Sequence, residues 1–171
     1  MLKTQRLIGY PLQQEHFDLL QQMHNSPAVM ATLGGVRTPL QTQGLLTHNL
    51  AHWKKHGFGL WIWRDLAGNF VGRAGLRKLE LNGVNEIELA YALMPEFWNK
   101  GLATEIGKKL VEVAFTQLGI TNLVCFTMPS NKGSERVMQK VGFVYEKDIV
   151  YKELPHVLYR LTKKQWLKNR K

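Results

Sequence analysis

The chain has 171 residues, 44% apolar and 21% charged, the balance of one soluble globular domain and too short for two comfortable ones. No apolar run approaches the ~20 residues a bilayer requires, and Met1 to Arg6 lead into a strand pattern with no apolar leader, so a cytoplasmic location without a membrane partner is expected. The formal charge of +10 favours anionic partners such as a phosphorylated cofactor or RNA, and the lone Cys125, unable to form an internal disulfide, reads as a small core residue.

Residues 6–12 read as a first strand ending near Pro11. Residues 14–24 read as a helix, with Phe17, Leu20 and Met23 on one stripe. Asn25-Ser26-Pro27 breaks the pattern and starts a fresh helix. Thr38-Pro39 opens a second amphipathic helix whose spacing of Leu46, Leu50 and Trp53 predicts a buried stripe, with Gly57 as its stop. Strands follow at 60–64, 70–79 and 86–93, separated by the hairpin signals Ala67-Gly68-Asn69 and Asn82-Gly83.

A loop over 94–99 then leads into a long helix, about 102–118, with Leu102, Ile106, Leu110, Val113 and Ala114 as its apolar stripe and Gly119 just past its end. A strand at 122–127 follows a helix, which suits a parallel crossover from 86–93. A helix at 132–141 and strands at 143–150 and 157–161 complete the chain. The order β α α β β β α β α β β predicts an α+β fold, a mixed α/β layer forming one continuous domain over 1–171.

The chemistry-bearing feature is a strand, a short glycine-containing loop and a helix start. Asn99-Lys100-Gly101-Leu102-Ala103-Thr104 turns into the long helix. A helix N-terminus presents unpaired N–H groups and about half a unit of positive charge, a ready phosphate site. Gly101 and Ala103 permit close approach and Lys100 adds a full charge. Many helices that bind nothing begin this way, so the second segment matters: Asn131-Lys132-Gly133-Ser134, then Gly142-Phe143, after the next strand.

With both segments in place, the sequence resembles the GNAT superfamily of N-acetyltransferases, most nearly the branch of the RimJ and RimL ribosomal-protein N-terminal acetyltransferases. That superfamily pairs a [Q/R]-x-x-G-x-[G/A] pyrophosphate loop with an N-x-x-[S/A] helix start and a following G-F. Trp98 to Ala103 and Asn131…Ser134…Gly142-Phe143 agree in type, order and separation. Thr4-Gln5-Arg6-Leu7-Ile8, Asn25-Ser26-Pro27-Ala28-Val29-Met30 and Val71-Gly72-Arg73-Ala74-Gly75-Leu76 are similar to this branch as well. Two positions depart from the pattern. Trp98 replaces Gln or Arg, and Met138 stands where many relatives carry a tyrosine that protonates the leaving thiolate.

The resemblance implies a GNAT-like acyl-CoA N-acyltransferase fold: a mixed, mostly antiparallel twisted sheet flanked by helices, its parallel pair splayed to admit pantetheine. It implies acetyl-CoA as donor and direct attack by a primary amine, with no metal. Leu93 and Met94 would bond pantetheine and the thioester oxygen through their backbone. Asn99, Lys100, Gly101, Leu102, Ala103 and Thr104 would hold the pyrophosphate, and Asn131 pantetheine or a nearby backbone group.

Glu88 is the first candidate to take the amine proton and Glu86 the runner-up, each set against a plain surface carboxylate. Ser134 or water would protonate the thiolate. The acceptor is a protein N-terminus or a small-molecule amine. The charge argues against a polycationic acceptor and suits proximity to the ribosome. Either a monomer or a homodimer is compatible. The alternative is a noncatalytic CoA-binding or RNA-associated module that retains the fold. His48, His52 and His56 share a helix face that reads as solvated, and His156 is a weak acceptor-side hint. Phe58, Trp61, Trp63, Phe97 and Trp98 read first as core, Trp98 least firmly.

Overall fold

Each period-2 segment of the sequence becomes a strand of one mixed sheet in the computed structural model, which describes residues 1–171. The strands are β1 (Leu2–Lys3), β2 (Leu7–Pro11), β3 (Leu60–Asp65), β4 (Phe70–Leu81), β5 (Val84–Leu93), β6 (Asn122–Thr127), β7 (Val144–Tyr151) and β8 (Leu154–Thr162). The helices are α1 (Phe17–His24), α2 (Pro27–Met30), α3 (Pro39–His56), α4 (Leu102–Thr116), α5 (Lys132–Val141) and α6 (Lys163–Asn169). The strand order is β1-β2-β3-β4-β5-β6-β8-β7. β5 and β6 run parallel through Glu88↔Val124, whereas β6 and β8 pair antiparallel over six positions. This is the mixed sheet flanked by helices that the resemblance implied, with the parallel β5–β6 pair that the element order suggested.

Contacts divide the chain into two compact units, Met1–Gly75 with Tyr91–Ala103, and Leu76–Ala90 with Thr104–Lys171. In the first, Leu7, Leu20, Met23, Met30, Leu46, Ile62 and Trp63 are essentially inaccessible. Trp53 donates its indole N–H to the Leu60 carbonyl at 2.8 Å and meets Trp61 edge-on. The buried stripe of α3 differs from the predicted one: it runs through Thr42, Leu46, Asn49 and His52, while Leu50 and Trp53 are half-buried. Polar residues occupy it because each finds a bond. Asn49 donates to Leu45 O, and Thr42 Oγ1 meets His24 Nδ1 at 2.7 Å. His52 bonds Phe58 O through Nδ1, so of the three histidines on this helix only His48 is exposed.

In the second unit, α4 and α5 pack at Gly107, where a Cβ would lie 2.8 Å from Val141. Cross-strand register places Leu123, Cys125, Tyr159 and Leu161 on the face that α5 covers, Cys125 being buried as expected. The opposite face buries a smaller cluster: Leu81, Val124, Ile149 and Leu158.

Three boundaries differ from expectation for local reasons. β4 and β5 extend to a two-residue turn at Asn82 (φ 49°) and Gly83 (φ 83°), a left-handed pair that matches strand twist. β7 and β8 meet across Lys152 (φ 49°) and Glu153 (φ 63°), a turn without an Asn-Gly signature. α6 is stabilised by a capping box between Thr162 and Gln165 and by Trp166 against Phe115.

Candidate functional site

In the first unit, β4 and β5 approach so closely that a Cβ on Gly72 would sit 2.3 Å from the Ala92 carbonyl oxygen. The Met94 N–H donates to Val71 O at 2.8 Å. Peptide groups alternate in direction along a strand, so those of Leu93 point to the other edge of β5. The Leu93 carbonyl accepts from the Trp98 indole at 2.8 Å, and Met94 O accepts from the Phe97 N–H. Of the two expected backbone positions, Met94 is thus occupied within the protein, and Leu93 N–H is the donor directed away from β4. Trp98 is 42% exposed, whereas Trp61 and Trp63 are core. The aromatic residues therefore divide into two environments.

The chain then crosses Pro95–Phe97 in a 3-10 turn and enters the loop. Asn99 (φ 57°) and Gly101 (φ 75°) are both left-handed, one on each side of Lys100. Asparagine tolerates that region through local side-chain bonding, and glycine enters it freely. α4 begins at Leu102, so the first-turn amides of Leu102, Ala103 and Thr104 follow the loop directly. The Arg6 guanidinium donates to Lys100 O at 2.9 Å and lies over Gly101, where a Cβ would be 3.6 Å from Nη2. Lys100 Nζ lies 5.6 Å from the Phe97 ring centroid. The loop therefore carries two cations. In the sequence Arg6 belongs only to the opening pattern; its contact with the loop spans 94 residues, which no local signal reveals.

In the second unit, both candidate carboxylates are buried and paired. Arg77 donates Nη2 and Nε to Glu88 Oε2 at 2.7 and 3.1 Å. Arg160 donates to Glu86 at 2.7 and 3.0 Å and also bonds Glu146 and Asn122. Glu88 is 5% exposed and Glu86 9%, so neither is a solvated surface carboxylate. The hydrogen bonds that Arg160 donates to Glu86 raise it above the usual guanidinium range, and the charge of Glu88 raises Arg77.

Asn131 caps α5, its Oδ1 accepting from the Ser134 N–H at 3.1 Å, which places Ser134 half-buried on the first turn. Met138 is 1% exposed and its carbonyl receives the Gly142 and Phe143 N–H groups that end the helix. A phenol does stand beside this helix, but on β8: Tyr159 donates to Glu135 Oε1 at 3.0 Å. Burial first, then that carboxylate, holds it above the usual phenol range. Motif reading missed Tyr159 because its partner lies 24 residues away. No group of three or more His, Cys, Asp or Glu side chains converges as a metal site.

Residues 6–144 match a family model described as an acetyltransferase (GNAT) domain. Over 190 aligned positions the chain is 26% identical to the FsC-acetyl coenzyme A-N(2)-transacetylase of Aspergillus fumigatus, covering 99% of this chain and 79% of that protein. A 90-residue alignment is 30% identical to the spermidine N(1)-acetyltransferase of Escherichia coli K12, covering 52% of this chain and 48% of that one. The crystal structure of an acetyltransferase from Agrobacterium tumefaciens superposes with a TM-score of 0.82 at 26% identity, covering 95% of this chain and 94% of that one.

Proposed function

The chain belongs to the GNAT acetyltransferase family, and on that premise we propose that it transfers the acetyl group of acetyl-CoA to a primary amine of a small molecule. The observation that carries this reading is the loop of Asn99, Lys100 and Gly101: left-handed at both ends, overlaid by Arg6, and continued as the amino terminus of α4. Unpaired helix amides with two flanking cations fit a pyrophosphate. Asn99 through Thr104 hold that group, and Leu93 N–H serves the thioester end. Acetyl-CoA, bound there, supplies an acyl group on a good leaving thiolate.

The remaining work belongs to side chains. An ammonium must lose a proton before its nitrogen can attack. Glu88 takes that proton at Oε1, while Arg77 holds Oε2 and fixes the carboxylate plane. Ser134, or water at the same helix start, returns a proton to the thiolate. Met138 cannot donate one. Asn131 acts indirectly, by capping the helix on which Ser134 lies.

The Escherichia coli relative acts, by its name, on spermidine, a small-molecule amine, which supports that acceptor class here. A protein N-terminus is the second reading, favoured by the RimJ/RimL-like opening segments and by the charge of +10, compatible with ribosomal RNA. Thiol release from acetyl-CoA, measured with a panel of small amines and N-terminal peptides, tests both. Turnover with peptides alone would refute the small-molecule reading. Tight CoA binding with no turnover on any amine would instead make the chain a noncatalytic module.

A further inference from the structure

The sheet face opposite Tyr159 and α5 carries a feature that the transfer chemistry does not use. Register aligns Phe126 with Leu158, Ile149 with His156 and Tyr151 with Leu154, so all six share that face. Phe126 and Tyr151 lie half-buried over the cluster of Leu81, Val124, Ile149 and Leu158. Phe126, Tyr151 and His156 meet pairwise edge-to-face, with centroids 4.9, 5.7 and 5.6 Å apart. His156 Nδ1 lies 3.0 Å from the Leu154 carbonyl. A carbonyl only accepts, so Nδ1 donates this bond.

This aromatic trio shares its face with Glu88 and its partner Arg77, because Glu88 aligns with Val124, two residues before Phe126 on the same side of β6. Yet the carboxylates there leave only one net negative charge: Glu88 is met by Arg77, while Glu86 and the more exposed Glu146 share Arg160. An acceptor with several ammonium groups needs uncompensated carboxylates, and a chain of net charge +10 opposes it further. Aromatic edges and faces instead favour a ring or apolar body, and they tolerate one amine nitrogen nearby.

We propose that this face, with Phe126, Tyr151 and His156 as its contacts, selects a primary amine borne on an aromatic or apolar body and discriminates against polyamines and aminoglycosides. The proposal rests on the small-molecule acetyltransferase reading, and it names the acceptor class within it.

The test uses the full chain with phenethylamine, spermidine and kanamycin. Thiol release gives kcat/KM, and calorimetric titration in the presence of CoA gives Kd whether or not turnover occurs. Phenethylamine is expected to exceed spermidine by at least about tenfold in kcat/KM, an order of magnitude set by desolvating one ring. Tyr151→Leu and Phe126→Leu keep an apolar side chain over the small core, and each should raise the phenethylamine KM or Kd several-fold while leaving the KM for acetyl-CoA unchanged. Greater activity with spermidine or kanamycin would overturn the assignment, as would wild-type phenethylamine affinity in folded Tyr151→Leu and Phe126→Leu. Phenethylamine binding that these variants weaken, without turnover on any amine, would support the surface while refuting the enzymatic reading. Absence of both binding and turnover would refute the surface.

Discussion

His24 gives a prediction whose size follows from the structure. It is 3% exposed, with Nδ1 2.7 Å from Thr42 Oγ1 and Nε2 3.2 Å from Arg37 Nη1. Arginine only donates, so Nε2 is the lone-pair nitrogen and the ring is neutral. Burial first, then the charges of Arg37 and Arg73, lower its pKa from 6.5 to about 4. The folded state therefore binds the proton less readily than the unfolded chain. Stability from the neutral ring is complete above about pH 6.5 and is lost as pH falls toward 4. Linkage with RT of about 0.59 kcal/mol gives a loss of about 2 kcal/mol by pH 5 and about 3 kcal/mol by pH 4. Urea unfolding followed by circular dichroism at pH 7.5, 6 and 5 measures this against His24→Gln, which keeps donor and acceptor atoms but does not titrate. The variant should be less stable at pH 7.5 by about 1–3 kcal/mol, and the gap should close by about 2 kcal/mol at pH 5. Parallel curves for the two proteins would refute a buried neutral His24.

Gly101→Ala places a Cβ at φ 75° without a clash, since the nearest atom is 3.6 Å away. Left-handed strain alone, about 1–2 kcal/mol, should raise the KM for acetyl-CoA roughly 5- to 30-fold with kcat little changed; an unchanged KM would remove the loop from donor binding. Gly72→Ala sets a methyl group 2.3 Å from Ala92 O, and thermal unfolding should show destabilisation of about 3 kcal/mol or more. Glu88→Gln should lower kcat/KM by about 100-fold or more, most of it in kcat, whereas Ser134→Ala should cost less because water can replace it. Unchanged kcat/KM across pH in Glu88→Gln would remove that carboxylate from proton transfer.

The positions of glycine, asparagine and proline determined much of this protein locally. Asn82-Gly83 fixed a hairpin, Thr38-Pro39 a helix start and Gly57 a helix end, because backbone preference acts over a few residues. The same locality exposed the loop of Asn99 and Gly101 and the cap of Asn131, each of which works through its own turn. Lys152 and Glu153 escaped that reading, since their left-handed turn is imposed by the pairing of β7 with β8 rather than by their own preference.

Only tertiary structure decided the environment of the charges and rings. Glu86 and Glu88 read as strand carboxylates with an exposed option until Arg160, 74 residues away, and Arg77 on the neighbouring strand met them. His52 read as part of a solvated helix face until burial and the Phe58 carbonyl engaged it, and His24 owes its neutral ring to burial and the Arg37 donor. Arg6 reached the loop at Lys100 across 94 residues, and Phe126, Tyr151 and His156 came together only when three strands aligned. Sequence encodes backbone conformation within a turn, but desolvation and Coulomb interaction depend on which distant groups the fold brings within a few ångströms.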